Sequence, residues 1–453
     1  MADIDVPERT VIRTDLEPGL LRGLTAALPG LIDRARDRLP PAARLLVRPL
    51  GVYLASRLVV YAAIGVVIAL HLGASNQHFN MGWFPDHSTS RPLFEALGMW
   101  DGGWYLHIVS HGYDTQLHPV GAYLPSVAFL PLLPLVVKAT AFVTGLKALH
   151  AGILTAFVIG AVASVAIWLF VRYLTDGPTA DRATALWCFF PGAFTLSFVY
   201  SEGLLVVLAV VCLYALMRQR WLLAGVAALL AGATAPAGLA LVGACAWGAG
   251  AALLRRPQTP PVARLGPGAL ATTELPRTAE ARVARPRRAW LALTAPLLAP
   301  IGFLAYMAYL WQRTGDITYW YWAERSFWDG RFNPYTSTIG RVIQAWHMPE
   351  IPDFLVPTIC LFVLAAAAIM LWRWKPPAVV TIYAALVMAF VMSSGTLGVR
   401  PRFYIAAFPF VVAMARPAKG PAFSALLGAS ATLLALLTLV VVAAVNSAWT
   451  FTP

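Results

Sequence analysis

Long apolar runs separated by short polar or charged segments dominate the chain. A helix needs about 20 apolar residues to cross the ~30 Å hydrocarbon core of a bilayer, and several runs reach that length. They are too long for the strands of a membrane barrel, so the pattern predicts an all-α polytopic membrane protein. The runs correspond to about 11 transmembrane helices at this length per span. The clearest are expected near 51–72, 151–172, 290–311, 353–372, 377–394, 402–415 and 422–446.

Two longer apolar stretches, 183–217 and 222–254, contain proline and glycine near their middles, so their span count stays open. The interruptions are Phe190-Pro191-Gly192 and Thr234-Ala235-Pro236. Broken helices at membrane depth occur where they are buried in protein or line a cavity, so both interruptions are candidate walls of a site. The alternative is that they are ordinary proline kinks in packing helices.

Basic residues concentrate at the ends of the apolar runs and in one loop, and this distribution predicts the topology. Segment 1–50 is expected to be a cytoplasmic amphipathic segment, followed by a transmembrane domain over 51–453. The Arg-rich segment 255–289 is expected to be a basic cytoplasmic loop. By the same rule, 73–120 and 312–352 are the first and second periplasmic loops.

The composition also indicates an integral membrane protein. Hydrophobic residues make up 59% of the chain and charged residues 12%, against about 25% charged in soluble domains. The net charge of +13 does not indicate a nucleic-acid partner, because the arginines lie where membrane topology alone requires them. The four cysteines lack CxxC spacing and are expected to pack as small side chains, and no metal or cofactor motif is present. The dominance of Arg over Lys, with abundant Ala, suggests a high-GC bacterial genome. A multi-pass protein of a bacterium is expected in the inner membrane.

The first periplasmic loop contains the strongest candidate for chemistry, Trp100-Asp101-Gly102-Gly103-Trp104-Tyr105-Leu106-His107. The glycines permit a tight turn, and the aromatic rings can wall off a carboxylate from water. Asp101 is therefore the candidate general base for a substrate hydroxyl. The alternatives are an interfacial aromatic belt around a solvated Asp101, and a structural role for His107. The candidate substrate-binding neighbours are Asp86, Trp100, Trp104, Tyr105 and His107.

Arg400 and Arg402 precede an apolar run on the predicted periplasmic side. Two arginines at this boundary depart from the excess of basic residues on the cytoplasmic side. A guanidinium matches the geometry of phosphate oxygens, so the pair is predicted to bind a phosphate. The alternative is that both side chains extend to lipid headgroups.

Three further residues are candidates for substrate binding. Trp322 and Arg325 lie in the aromatic-rich segment 319–328 of the second periplasmic loop, where rings can stack on sugar faces or line a lipid groove. Membrane anchoring is the alternative for that segment. Glu202 follows Tyr200-Ser201 within an apolar stretch, and an ionisable group at membrane depth is a functional candidate.

Taken in order, several segments resemble the PIG-V-like mannosyltransferases, a family of the GT-C glycosyltransferase superfamily. The resemblance covers about residues 50 to 415, with Ala193 and Ala235 where the family usually has Ser and Arg. The segments are Trp100-Asp101-Gly102-Gly103-Trp104-Tyr105, Phe129-Leu130-Pro131-Leu132-Leu133-Pro134, Phe190-Pro191-Gly192, Tyr200-Ser201-Glu202-Gly203-Leu204, Thr234-Ala235-Pro236, Trp311-Gln312-Arg313-Thr314-Gly315-Asp316 and Arg402-Phe403-Tyr404.

The resemblance implies a GT-C-like helical bundle whose periplasmic loops form the active site. Such an enzyme transfers mannose from polyprenyl-phosphate-mannose to a lipid-linked or cell-envelope glycan acceptor, with inversion and without a cofactor. The family's early-loop aspartate falls on Asp101. Two alternatives remain open: a GT-C enzyme that uses another polyprenyl-phospho-sugar, such as arabinofuranose, and a non-enzymatic lipid or glycan transporter.

Overall fold

The computed structural model describes residues 41–72, 92–114, 126–254, 289–327, 339–348, 352–393 and 400–443. The chain divides into segment 1–48 and a unit of residues 49–453. All regular structure in the described ranges is helical, which confirms the all-α part of the prediction. The predicted amphipathic segment before residue 41, the basic loop over 255–288 and Asp86 lie outside the described residues.

The helices are numbered here in chain order. They are α1 (Pro41–Ala69), α2 (Pro92–Leu97), α3 (Asp101–His111), α4 (Leu132–Thr144), α5 (Ala148–Leu174), α6 (Gly177–Cys188), α7 (Glu202–Met217), α8 (Trp221–Gly232), α9 (Ala240–Leu254), α10 (Thr294–Leu298), α11 (Ile301–Thr314), α12 (Tyr319–Phe327), α13 (Arg341–His347), α14 (Pro352–Trp374), α15 (Ala378–Ser393), α16 (Phe403–Ala406), α17 (Phe408–Ala415) and α18 (Gly420–Ala443). Short 3-10 turns lie at Ser126–Ala128, Pro191–Leu196, Pro236–Leu239 and Ala289–Leu293.

Five helices in the described ranges are long and apolar enough to cross a membrane, so the chain is a multi-pass integral membrane protein. A sixth span results if Trp290–Leu298 and Ile301–Thr314, which are bent by 42°, are counted together. Four further apolar helices, α4, α7, α8 and α15, are shorter. The count of about 11 spans stays a prediction. The five long candidates are Leu45–Ala69, Ala148–Leu174, Pro236–Leu254, Phe354–Trp374 and Gly420–Ala443.

Both interruptions seen in the sequence are breaks between helices. Between α6 and α7 the chain forms the 3-10 turn Pro191–Leu196, and between α8 and α9 it forms the turn Pro236–Leu239. Backbone groups freed at such breaks need partners where water is scarce. The backbone N–H of Leu132, at the start of α4, donates to the carbonyl oxygen of Ala233 at 3.0 Å. The proline-rich start of α4 is therefore attached to the second break.

A buried arginine joins the first span to the break between α6 and α7. Arg57 lies in α1 and is 1% exposed. Its guanidinium donates to the carbonyl oxygens of Ala193 at 2.6 Å and Cys188 at 3.1 Å, and to the hydroxyl of Ser197 at 2.9 Å. No carboxylate of the described residues forms an ion pair with it. A cation at this depth is tolerated only when its donors are satisfied, so these hydrogen bonds fix the turn to α1.

The stretch 402–415 differs from the single span predicted for it. It forms two short, almost fully buried helices, α16 and α17, with a break at Ala407. Proline clashes with the carbonyl four residues earlier, so Pro409 prevents a regular helix around Ile405. The freed carbonyl oxygen of Ile405 accepts a hydrogen bond from the indole of Trp187 at 3.1 Å. This segment is therefore a buried arm inside the bundle.

Candidate active site

Asp101 is the first residue of α3, and the residue before it is held in an unusual conformation. Trp100 has φ 57° and ψ −128°, which is sterically unfavourable for a residue with a side chain. Its indole N–H donates to the carbonyl oxygen of Val441 in α18 at 3.0 Å. This anchor fixes the direction in which α3 begins, and with it the position of the Asp101 carboxylate.

Asp101 forms an ion pair with Arg402. Oδ2 of Asp101 lies 2.7 Å from a terminal guanidinium nitrogen of Arg402, across a sequence separation of 301 residues. The Arg402 side chain is 11% exposed and that of Asp101 is 28% exposed. The structure thus brings together the predicted base and one of the two predicted phosphate ligands.

Each partner of this pair retains an atom for a further contact. Oδ1 of Asp101 makes no hydrogen bond to the residues that the structure describes. Nε of Arg402 is buried and likewise has no hydrogen-bond partner there. Burial lowers the pKa of Arg402, but the charges of Asp101 and Glu202 outweigh this and leave it raised. Arg402 therefore stays positively charged and can donate a further hydrogen bond through Nε, while Asp101 can accept one through Oδ1.

The turn Pro191–Leu196 determines where Arg402 lies. A Cβ atom at Gly192 would come within 2.2 Å of the Pro401 carbonyl oxygen and 2.6 Å of the Arg402 Cα. Only a residue without a side chain permits this approach of two backbones. Because Arg57 fixes the same turn, the position of Arg402 depends on α1 as well.

Two more carboxylates lie close to the pair. Glu202, the first residue of α7, is within electrostatic range of both Arg402 and Asp101, and its Oε2 is buried without a partner among the described residues. Glu324, in α12, is half-buried. Burial, and then the negative charge of Asp101, raise the pKa of Glu324 to about 7. Near neutral pH this group therefore exchanges between its acid and carboxylate forms.

Sequence reasoning missed Glu324 and Arg57. Glu324 is the only acidic residue in the aromatic segment 319–328, from which its neighbours Trp322 and Arg325 were selected. Arg57 is an isolated cation within the first apolar run, the same signal that pointed to Glu202. Both signals were present in the sequence.

The other three predicted residues on α3 are buried and pack within the protein. They are Trp104, Tyr105 and His107. Trp104 is 7% exposed and stacks on Phe129, with ring centroids 6.0 Å apart and planes at 12°. Nε2 of His107 lies 3.0 Å from the carboxylate of Asp114. Tyr105 is buried, and this burial raises its pKa. Their roles in substrate binding stay predictions.

The other predicted residues differ in exposure. Arg400 is 3% exposed and lies two residues before Arg402. Trp322 is half-buried and stacks on Tyr319, with ring centroids 5.4 Å apart. Arg325 is exposed. None of these observations tests a functional role.

A multi-pass membrane bundle with an aligned carboxylate and guanidinium can bind an anion and accept a proton next to it. This chemistry suits an enzyme that acts on phosphate-bearing lipids. A family model described as mannosyltransferase (PIG-V) matches residues 78–248, which include Asp101 and Glu202. In this segment the chain is therefore similar to the PIG-V mannosyltransferases, which are glycosyltransferases. No curated protein sequence matches the chain.

Proposed function

We propose that the protein transfers mannose from polyprenyl-phosphate-mannose to a glycan or glycolipid acceptor at the periplasmic face of a bacterial inner membrane. The observation that carries this proposal is the Asp101–Arg402 pair, with a spare atom on each side. A sugar carried on a membrane lipid needs a phosphate ligand and a base at the bilayer surface. In the pair, the guanidinium can bind the leaving phosphate while the carboxylate accepts the proton of the attacking hydroxyl.

The donor phosphate is proposed to bind the Nε edge of Arg402, with Arg400 as a second cation. As the bond between the anomeric carbon and the phosphate oxygen breaks, the phosphate leaves with the electron pair. Guanidinium donors stabilise the charge that develops on its oxygens. Because Arg402 keeps its contact with Asp101 through another nitrogen, phosphate binding and base positioning are compatible.

Asp101 is proposed to accept the proton of the acceptor hydroxyl through Oδ1. The hydroxyl oxygen attacks the anomeric carbon on the side opposite the departing phosphate, so the configuration inverts. General base catalysis of this kind typically contributes ~10²–10⁴-fold. Glu324 is the second candidate for the base, because its raised pKa of about 7 makes its carboxylate form a stronger proton acceptor.

The proposed face follows from the ends of three helices. Arg373 lies in the last turn of α14, Arg416 follows α17, and Lys419 precedes α18. Cationic helix ends favour the cytoplasm. Arg402 lies at the other end of the α16–α17 segment from Arg416, which supports a periplasmic site.

The test is transfer by the full-length chain in proteoliposomes that contain a lipid-linked glycan acceptor. Radiolabelled polyprenyl-phosphate-mannose and polyprenyl-phosphate-arabinofuranose are supplied in separate reactions. We expect mannose to be transferred at a rate well above that of arabinofuranose. Transfer of arabinofuranose alone would replace the proposed donor, and transfer of neither sugar to any acceptor fraction of the source membrane would refute the proposal.

A further inference from the structure

A second polar site lies away from Asp101 and Arg402. It is a cavity of about 640 Å³ formed where α6 begins, α14 and α17 end, and α18 begins. Four cations line it, Arg182, Arg373, Arg416 and Lys419, against the single acidic residue Asp176. Four positive charges and one negative charge leave a formal charge of +3 in one cavity.

Both carboxylate oxygens of Asp176 already accept hydrogen bonds from Thr179. Oδ1 of Asp176 accepts a hydrogen bond from the backbone N–H of Thr179 at 2.7 Å, and Oδ2 accepts one from the Thr179 hydroxyl at 3.0 Å. Asp176 is thus the N-cap of α6. In the part of the chain that the structure describes, no carboxylate forms an ion pair with any of the four cations.

Partial burial makes the positive charge of Arg416 unfavourable unless an anion lies near it. Arg416 is half-buried, and burial lowers its pKa, while Asp176 opposes this shift. The Arg416 guanidinium also lies over the ring of Trp374, 5.2 Å from its centroid. The guanidinium of Arg182 donates to the Thr179 hydroxyl at 3.1 Å, which fixes it at the cavity wall. An anion in the cavity would compensate charges that the protein itself does not neutralise.

The cavity lies at one end of a candidate membrane span, and the end of a span is where the lipid headgroups begin. It adjoins the end of the 21-residue candidate span Phe354–Trp374, whose length is about 31 Å at 1.5 Å per residue. Trp372, in the last turn of that span, is 76% exposed, and tryptophan favours the membrane–water interface. Toward the other end of the span, the Cys360 carbonyl accepts a hydrogen bond from Tyr404, two residues past Arg402. The cavity and the Asp101–Arg402 pair therefore lie toward opposite ends of α14.

We propose that this cavity binds a phosphate group, carried either by an anionic phospholipid or by a soluble phosphate ester. Lysine and arginine side chains are the usual ligands of phosphate, and basic pockets between membrane helices bind anionic headgroups. The volume is within the range of small-molecule sites, about 300–1,000 Å³, so it accommodates more than one phosphate. The exposed Trp372 favours the lipid as the source.

The test compares the wild type with the double variant Arg373→Gln/Lys419→Gln. Both side chains are exposed, so their loss should leave the fold intact. The matched control is Lys138→Gln/Lys375→Gln, which removes the same charge from exposed residues outside the cavity lining. Each full-length protein is placed in phosphatidylcholine nanodiscs with increasing phosphatidylglycerol, and bound lipid is counted by native mass spectrometry.

We expect the wild type and the control to retain phosphatidylglycerol, and the cavity variant to bind it roughly 30-fold more weakly, from ~1 kcal/mol per cation. A second arm adds glycerol phosphate to pure phosphatidylcholine nanodiscs and measures the thermal melt. Stabilisation there that disappears only in the cavity variant would identify the soluble ester as the source. Equal behaviour of the wild type and the cavity variant in both arms would overturn the proposal.

Discussion

Arg402 is in contact with Asp101 through one nitrogen, while its Nε is directed to no group in the described part of the chain. A guanidinium presents several donors in a fixed plane, so it can position a carboxylate and bind a phosphate at the same time. Lysine has one compact charge and cannot do both with the same geometry. The chemistry assigned to the site therefore depends on the shape of this side chain as well as on its charge.

Arg402→Lys is predicted to keep the positive charge but to transfer mannose less efficiently. Loss of one charge-assisted hydrogen bond costs about 1.5–3 kcal/mol, so kcat/KM for the donor should fall roughly 10- to 100-fold. The control is Arg218→Lys, an exposed arginine after α7. Donor kinetics of Arg402→Lys equal to those of the control would show that the phosphate does not use the guanidinium.

Glu324 gives the protein a pH dependence of stability. Its folded pKa of about 7 lies above its ordinary value of 4.5. Between these values the folded state binds more protons than the unfolded state, so the free energy of unfolding decreases as pH rises. Above about pH 7 the unfavourable contribution of this carboxylate is complete.

Glu324→Gln is therefore predicted to stabilise the protein relative to the wild type at pH 8 and to lose this advantage toward pH 4.5. Thermal melts of both proteins across this interval give the difference directly. A difference in melting temperature that does not change with pH would show that Glu324 does not titrate in this window. A difference that grows toward low pH would contradict the sign of the shift.

At the scale of elements, the break between α6 and α7 connects the first span to the site. Arg57 fixes the turn Pro191–Leu196 from one side, and Gly192 packs against the backbone of Pro401 and Arg402 on the other. The buried arm α16–α17 then continues from Arg402 into the bundle. Since backbone meets backbone at Gly192, neither side can move without displacing the other.

Gly192→Ala is predicted to displace Arg402. The added Cβ would lie 2.2 Å from the Pro401 carbonyl oxygen, and overpacking of this kind costs about 1–3 kcal/mol. A misplacement of about 1 Å at a reacting group can cost roughly 10²-fold in rate. We expect a lower melting temperature together with a large loss of transfer.

The control is Gly428→Ala in α18, where a Cβ would meet no atom within 4 Å. This variant should melt and turn over like the wild type. If Gly192→Ala matched Gly428→Ala in both measurements, the turn would not position Arg402.

At the scale of the whole molecule, the sequence predicts the long spans well and the site only in part. The spans expected near 151–172 and 353–372 correspond to Ala148–Leu174 and Phe354–Trp374, because apolar length is a local property. The stretch 402–415 is equally apolar, but the effect of Pro409 and the partners of its free carbonyls depend on tertiary contacts. For the same reason its burial could not be predicted.

The candidate site shows the same limit. Local composition singled out Asp101 and Arg402, but no pattern in the sequence predicts that side chains 301 residues apart are in contact. The pKa of Glu324 depends on burial and on its distance from Asp101, neither of which is visible in the segment 319–328. Charge and composition identify candidate site residues, but their contacts with one another depend on the tertiary fold.

The central claim, that Asp101 is the general base of mannosyl transfer, is tested most directly by single-turnover kinetics of Asp101→Asn beside Glu324→Gln. Asparagine keeps the shape of Asp101 but cannot accept the proton. We predict that Asp101→Asn melts within a few degrees of the wild type and binds the donor, yet transfers mannose ~10²–10⁴-fold more slowly, while Glu324→Gln loses much less. Transfer by Asp101→Asn at a rate near that of the wild type, with Glu324→Gln inactive, would contradict the claim and assign the base to Glu324.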